Sequence, residues 1–166
     1  MIFKFLSKNF YISFSIVTLI YFLDRLSKIF VTQLDKNNFG SDIFNSSYLN
    51  IVLIWNKGIA FGLFSFNETH LYNILSLIIS MIVAVLVIIS FKSKGFKRYS
   101  LLMIVGGALG NLHDRIFYNA VPDFIDFHVG NFHWFVFNVA DIFITLGVIC
   151  MIFMEFIGNN INDEKI

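Results

Sequence analysis

The sequence predicts an all-α integral membrane protein with four transmembrane helices, and three observations carry that prediction. Hydrophobic residues make up 57% of the 166 and charged residues 14%, with a mean hydropathy of +0.76, which leaves too little polar surface to cover a water-soluble globule. Four segments are each near the roughly 20 apolar residues that a bilayer crossing requires. Between them, lysine and arginine collect on one side. The net charge of +1 argues against a nucleic-acid partner, and one membrane domain over residues 1–166 is the economical organisation.

The first span covers residues 10–34 and carries Asp24, Arg25 and Lys28. Lys4 and Lys8 precede it as in a secretory signal, but no small-residue cleavage site follows, so it is read as an uncleaved span. The connection, residues 35–69, is long enough to hold structure of its own; within it Tyr48 to Trp55 is rich in β-branched and aromatic residues and reads as a strand. The second span, residues 70–91, has no charged side chain. A short basic turn with Gly95 leads to the third, residues 99–118, which has Asp114 and Arg115 near its end.

Pro122 fixes its own φ and biases Val121 toward extended backbone, so it should end the third span and hold Asp123 at the membrane surface. A short loop, Phe124 to His133, then returns the chain to the fourth span, residues 134–156. Asp141 lies one to two turns into that span, within a stretch from Phe127 to Met154 that is otherwise free of Asp, Glu, Lys and Arg. A carboxylate in hydrocarbon costs roughly 2.5–3.5 kcal/mol, which makes Asp141 a functional candidate with Asp123 as its partner. Two carboxyls within a few Å share a proton, so that one can serve as base on a water while the other donates to a carbonyl.

Lys4, Lys8, Lys92, Lys94, Lys97, Arg98 and Lys165 fall on one side of the four-span arrangement, and only Lys36 and Lys57 on the other. Both termini are therefore expected in the cytoplasm. The embedded polar groups then gather in the outer leaflet. Asp24 with Lys28 and Asn111 with Arg115 are i,i+4 partners; Asn111 with Asp114 and Asn138 with Asp141 are i,i+3 partners. Pairs of this kind also serve simply as glue between membrane helices.

Other chemistries find less support. His70, His113, His128 and His133 invite a metal, and His128 with His133 near Asp126 could supply ligands, but no helical H-E-x-x-H pair exists and no metal is expected. No G-x-S-x-G is present. Cys150 is the single cysteine and is read as a packing residue. Gly106, Gly107 and Gly110 either allow close helix packing or leave room for a substrate helix. Gly58 and Gly62 follow the predicted strand, where Asn56 could bind an extended substrate backbone.

FLDRLSK at 22–28, NKGIAFGLF at 56–64, GGALGNLHDR at 106–115, VPDFIDF at 121–127 and FNVAD at 137–141 together resemble the signal peptidase II family in order and spacing. The resemblance implies an aspartic intramembrane endopeptidase of the bacterial inner membrane, active on its extracytoplasmic side. Such enzymes cleave prolipoproteins on the N-terminal side of a diacylglyceryl-modified cysteine. It implies Asp123 and Asp141 as the catalytic pair, and Asp24, Lys28, Asn56, Gly58, Asn111, Arg115, Asn138 and Ala140 as supporting or binding positions, with Asp114 beside them. It adds a small extracytoplasmic β-like cradle and a short periplasmic helix between spans one and two. No cofactor is implied; the expected partners are lipid-modified precursors and membrane lipid, and the expected state is a monomer. Ile59, Pro122 and His113 depart from the family pattern without removing a catalytic atom. Pro122 should stiffen the segment holding Asp123, and Ile59 should narrow the groove beside Asn56. The rival readings are a small proton- or cation-coupled transporter, which would want midplane charges and internal repeat symmetry, and a non-enzymatic assembly subunit.

Overall fold

Large apolar side chains face outward and charged ones inward in the computed structural model, which describes residues 8–37, 43–58 and 69–163. Leu19, Phe22, Leu77, Met81, Ile149 and Phe153 are more than half exposed, whereas Asp24, Asp114 and Asn138 are fully buried. Water as solvent would punish that distribution. Lipid explains it, because hydrocarbon welcomes the apolar faces and forces polar groups to find partners inside the protein.

The elements follow in the order α1 (Lys8–Asn37), β1 (Phe44–Asn45), β2 (Leu49–Asn56), α2 (Thr69–Lys92), α3 (Gly95–Tyr118), β3 (Val121–Val129), β4 (Phe132–Phe137) and α4 (Val139–Asp163). The helix α3 is central and packs against α1, α2 and α4. At one end the N-termini of α1 and α3 are tied by Arg98, whose Nη2 donates to the Asn9 carbonyl at 2.7 Å. Phe10 stacks on Phe91 at that same end. The sheet lies at the opposite end, continuing from the C-terminus of α3.

Small residues let the helices approach. A Cβ at Gly106 would stand 2.9 Å from Ile20, and one at Gly110 would stand 2.5 Å from Asp24 Oδ2. At Gly107 it would overlap the Ala140 carbonyl oxygen. The space beside these glycines is thus filled by α1 and α4, which favours packing over accommodation of a substrate helix.

An all-α architecture with a cradle confined to the first connection is corrected by a four-stranded antiparallel sheet of order β1-β2-β3-β4. Half of it comes from the segment between α3 and α4. The expected loop from Phe124 to His133 is a β-hairpin, closed by a two-residue turn in which Gly130 takes φ +59°. The fourth helix begins at Val139 instead of residue 134, because Phe132 to Phe137 pairs with β3. Pro122 sits within β3 opposite Trp55, at the end where β4 has not yet joined and the strand is an edge. The helix α3 has already ended, with Asn119 in the left-handed region at φ 53°. The strand expected at Tyr48 to Trp55 is present as β2. The expected short helix in the connection, with Ile59 and Gly62, lies outside the described residues.

Gly107→Ala is expected to destabilise the fold by about 1–3 kcal/mol, since backbone and not a flexible side chain blocks the added methyl. A lowered thermal unfolding midpoint in detergent would show this; an unchanged midpoint would mean that α3 and α4 are not so closely packed.

Candidate active site

Asp141 occupies the third position of α4, and its geometry follows from how that helix begins. The Asn138 backbone N–H donates to Asp141 Oδ2 at 3.1 Å, while the Asp141 N–H donates to Asn138 Oδ1 at 3.1 Å. This reciprocal pair is a capping box built from Asn and Asp, and it satisfies donors that the helix itself leaves free. Asp141 Oδ1 accepts from Asn111 Nδ2 of α3 at 2.8 Å.

Asp123 arrives from the sheet. Its Oδ1 accepts from Asn138 Nδ2 at 2.6 Å and its Oδ2 from Asn56 Nδ2 at 2.9 Å. Asn138 therefore holds both acids, one by its side-chain amide and the other by its backbone. Each of the four carboxylate oxygens receives one neutral donor from an asparagine. Asn56 is itself fixed where β2 ends: its Oδ1 accepts the Gly58 N–H at 2.8 Å, and Arg115 Nη2 donates to the Gly58 carbonyl at 3.0 Å.

A second pair of acids is treated differently. Asp114 receives two nitrogens of Arg25, at 2.6 and 2.7 Å, and Lys28 Nζ at 2.8 Å. Asp24 Oδ2 receives Lys28 at 2.9 Å and Arg25 at 3.2 Å, while its Oδ1 accepts the Ala140 N–H at 3.0 Å. Two cations against two anions make this group neutral, so its charges are matched without water. Breaking such a buried group by removing one partner typically costs about 3–5 kcal/mol, which marks it as structural. Lys28 Nζ also donates to Asn111 Oδ1 at 2.8 Å. The quartet thereby polarises the amide that holds Asp141.

All eleven residues singled out in the sequence, from Asp24 to Asp141, meet in one connected network. One local pairing that spacing suggests, Asn111 with Asp114, is replaced, and that of Asn111 with Arg115 runs through the backbone. Asn111 turns from Asp114 toward Lys28 and Asp141, and Arg115 donates to the Asn111 backbone carbonyl at 3.2 Å. Arg25 was not picked out by its sequence context, although it is the bidentate partner of Asp114.

A cavity of about 410 Å³ opens on both aspartates, with Asn56, Asn111, Arg115 and Asn138 around them and Ile144 and Ile149 beneath. A larger apolar groove of about 500 Å³ reaches Asp141 from its other side, along Trp134, Phe137, Ile142 and Leu146. The larger one is poor in polar groups and holds one of the two acids, so the smaller is where chemistry can occur. Burial first, and then the charge of Asp141, push the Asp123 carboxyl from 3.8 up to about 6; the amides of Asn56 and Asn138 only partly oppose this. A carboxyl in that range can both hold and release a proton near neutrality. Away from this site, the hairpin brings Asp126, His128 and His133 together.

The family model described as Signal peptidase (SPase) II matches residues 16–157. A lipoprotein signal peptidase of Pelagibacter ubique is 47% identical over 153 residues, covering 92% of this chain and 92% of that one. One from Anaplasma phagocytophilum is 45% identical over 136 residues, covering 80% and 84%. A solved structure described as a bacterial membrane enzyme, obtained by the in meso method, superposes with a TM-score of 0.70 at 28% identity, over 87% of each chain.

The raised Asp123 pKa has a consequence for stability. An unfolded aspartate loses its proton near pH 4, the folded one near pH 6, so between these values the folded protein holds more protons. Stability falls as pH rises through that window, and the full cost is present above it. Relative to the parent, Asp123→Asn is expected to gain stability between pH 4 and 7 by up to roughly 3 kcal/mol, two units at about 1.4 kcal/mol each. Unfolding midpoints measured across that range test it. A parent-to-variant difference that stays constant with pH would contradict the burial of this carboxyl.

Proposed function

The chain belongs to the signal peptidase II family, and from that premise we propose that Asp123 and Asp141 are its catalytic pair. It is an aspartic endopeptidase and an integral membrane protein that removes signal peptides from bacterial prolipoproteins. The observation that carries the assignment is the contrast between its two pairs of acids. Asp24 and Asp114 are neutralised by Arg25 and Lys28, whereas Asp123 and Asp141 are held by amides alone and face a cavity.

The reactive form of the pair carries one proton, which belongs to both members. The ionised carboxylate takes a proton from a water held between them, and the resulting hydroxide attacks the scissile carbonyl carbon. The protonated partner donates to the carbonyl oxygen as it becomes an alkoxide. On collapse, the amine nitrogen takes a proton from the carboxyl that had accepted one, the C–N bond breaks, and the pair returns to one proton. Asn56, Asn111 and Asn138 keep the two carboxyl planes oriented throughout. Their neutrality matters, because a cation there would hold both acids ionised and remove the acid.

The substrate on this reading is a precursor carrying a diacylglyceryl-modified cysteine, cut on the N-terminal side of that residue. Its extended cleavage segment lies between the aspartates and β2, with Arg115, Asn56 and Gly58 near its backbone and its acyl chains in membrane lipid. The four helices span the bacterial cytoplasmic membrane, with both termini cytoplasmic and the sheet outside. Tyr72–Lys92 and Val139–Ile157 are long and apolar enough to cross by composition alone. The other two helices carry the quartet, whose mutual neutralisation removes the main cost of burying them. The enzyme acts as a monomer, since this chain supplies both acids and every amide that holds them. The transporter reading is not favoured: no alternative path is needed for acids that already serve a peptidase.

Asp123→Asn and Asp141→Asn should each lower cleavage of a synthetic lipid-modified precursor at least about 10³-fold while the protein remains folded in detergent. Release of signal peptide by either variant at the parent rate would end the assignment.

A further inference from the structure

We propose that the β3–β4 hairpin carries a binding site for a divalent transition-metal ion of the zinc class, formed by Asp126, His128 and His133. This does not depend on the peptidase assignment, because none of the three contacts the aspartate pair.

The hairpin register creates the cluster. His128 stands directly opposite His133 across the strands, with ring centroids 4.9 Å apart and planes 17° from parallel. Asp126, two residues earlier in β3, reaches His133 Nδ1 with its Oδ2 at 2.9 Å. One ligating atom from each of the three residues can be chosen so that all lie within 4.8 Å of one another.

Two further observations point to a missing ligand. Asp126 is 5% exposed, yet its Oδ1 has no hydrogen-bond partner among the described residues, and the buried Nδ1 of His128 has none either. A buried oxygen and a buried ring nitrogen left without partners are each destabilising. A metal ion accepts the lone pairs of both.

Two imidazole nitrogens and a carboxylate oxygen are donors suited to zinc, which takes three protein ligands at about 2.0–2.2 Å and leaves a fourth position for water. Such a shell brings ligand atoms to roughly 3.3 Å from one another. The 2.9 Å contact between His133 and Asp126 is already near that spacing. The wider separations must close by up to about 1.5 Å, and the His133 side chain, 52% exposed, is free to turn. Asn50 Nδ2 donates to Asp126 Oδ2 at 3.3 Å and so orients the carboxylate from the neighbouring strand, the kind of outer contact that metal ligands use.

The test uses the full chain without a polyhistidine tag, purified in detergent and stripped of metal. Titration calorimetry with Zn²⁺ should give one equivalent bound, and X-ray absorption of that complex should show a shell of nitrogen and oxygen with two imidazoles. His128→Phe and His133→Phe keep an aromatic ring in the stack, and each should weaken binding at least tenfold while the metal-free unfolding midpoint is retained. No saturable binding up to millimolar Zn²⁺ would overturn the proposal. So would an affinity unchanged in both variants, or a sulfur in the shell, which would put the ion at Cys150.

Discussion

Hydrocarbon offers no hydrogen bonds, and that single constraint organises this molecule. Every polar side chain carried into the bundle must find its partner within the protein, and the partners available decide what each acid can do. Cations satisfy Asp24 and Asp114. Those two acids are consequently engaged in ion pairs that hold α1, α3 and the start of α4 together. Asparagines satisfy Asp123 and Asp141. These remain able to exchange a proton, since an amide orients a carboxylate without contributing a full opposing charge. Lys28 and Asn111 join the two groups, so the static quartet also positions the proposed catalytic pair.

The aspartates come from different kinds of structure. Asp141 is fixed by the first turn of a helix, where unpaired backbone donors favour a carboxylate. Asp123 is fixed by a strand paired on one side with β2, in which Asn56 closes the pairing at Val121. Asn138 lies where strand gives way to helix and touches both acids. Movement of the hairpin relative to α4 would therefore disturb the pair through this one residue. The glycines of α3 keep that junction tight, because Gly107 rests against the Ala140 carbonyl.

Most of this was legible in the sequence, for physical reasons that differ by region. Apolar length marks all four helices, and paired charges at helical spacing show that α1 and α3 shelter polar groups. Asp141 stands out because an acid in an uncharged apolar stretch has no ready structural explanation, and Asp123 follows as its partner just after Pro122. The β3–β4 hairpin is not legible from hydropathy, since Trp134 to Phe137 is as apolar as a membrane helix and hydropathy does not distinguish an apolar strand from an apolar span. The Gly130-Asn131 pair between aromatic arms was the overlooked signal. Arg25 escaped notice because its partner, Asp114, is 89 residues away. Local spacing finds i,i+4 neighbours such as Asp24 and Lys28, but contacts between helices depend on which faces meet. The sequence does offer His128, His133 and Asp126 as candidate ligands, and the strand register brings them together.

The central claim is that Asp123 and Asp141 jointly hold one reacting oxygen. A structure of the protein with a lipid-modified peptide whose scissile carbonyl is replaced by a tetrahedral hydroxyl tests it most directly. That hydroxyl is expected within hydrogen-bond distance of both carboxyls, with Asn138 still bonded to each. A hydroxyl bound by only one of them, with the other turned away toward solvent or a cation, would contradict it.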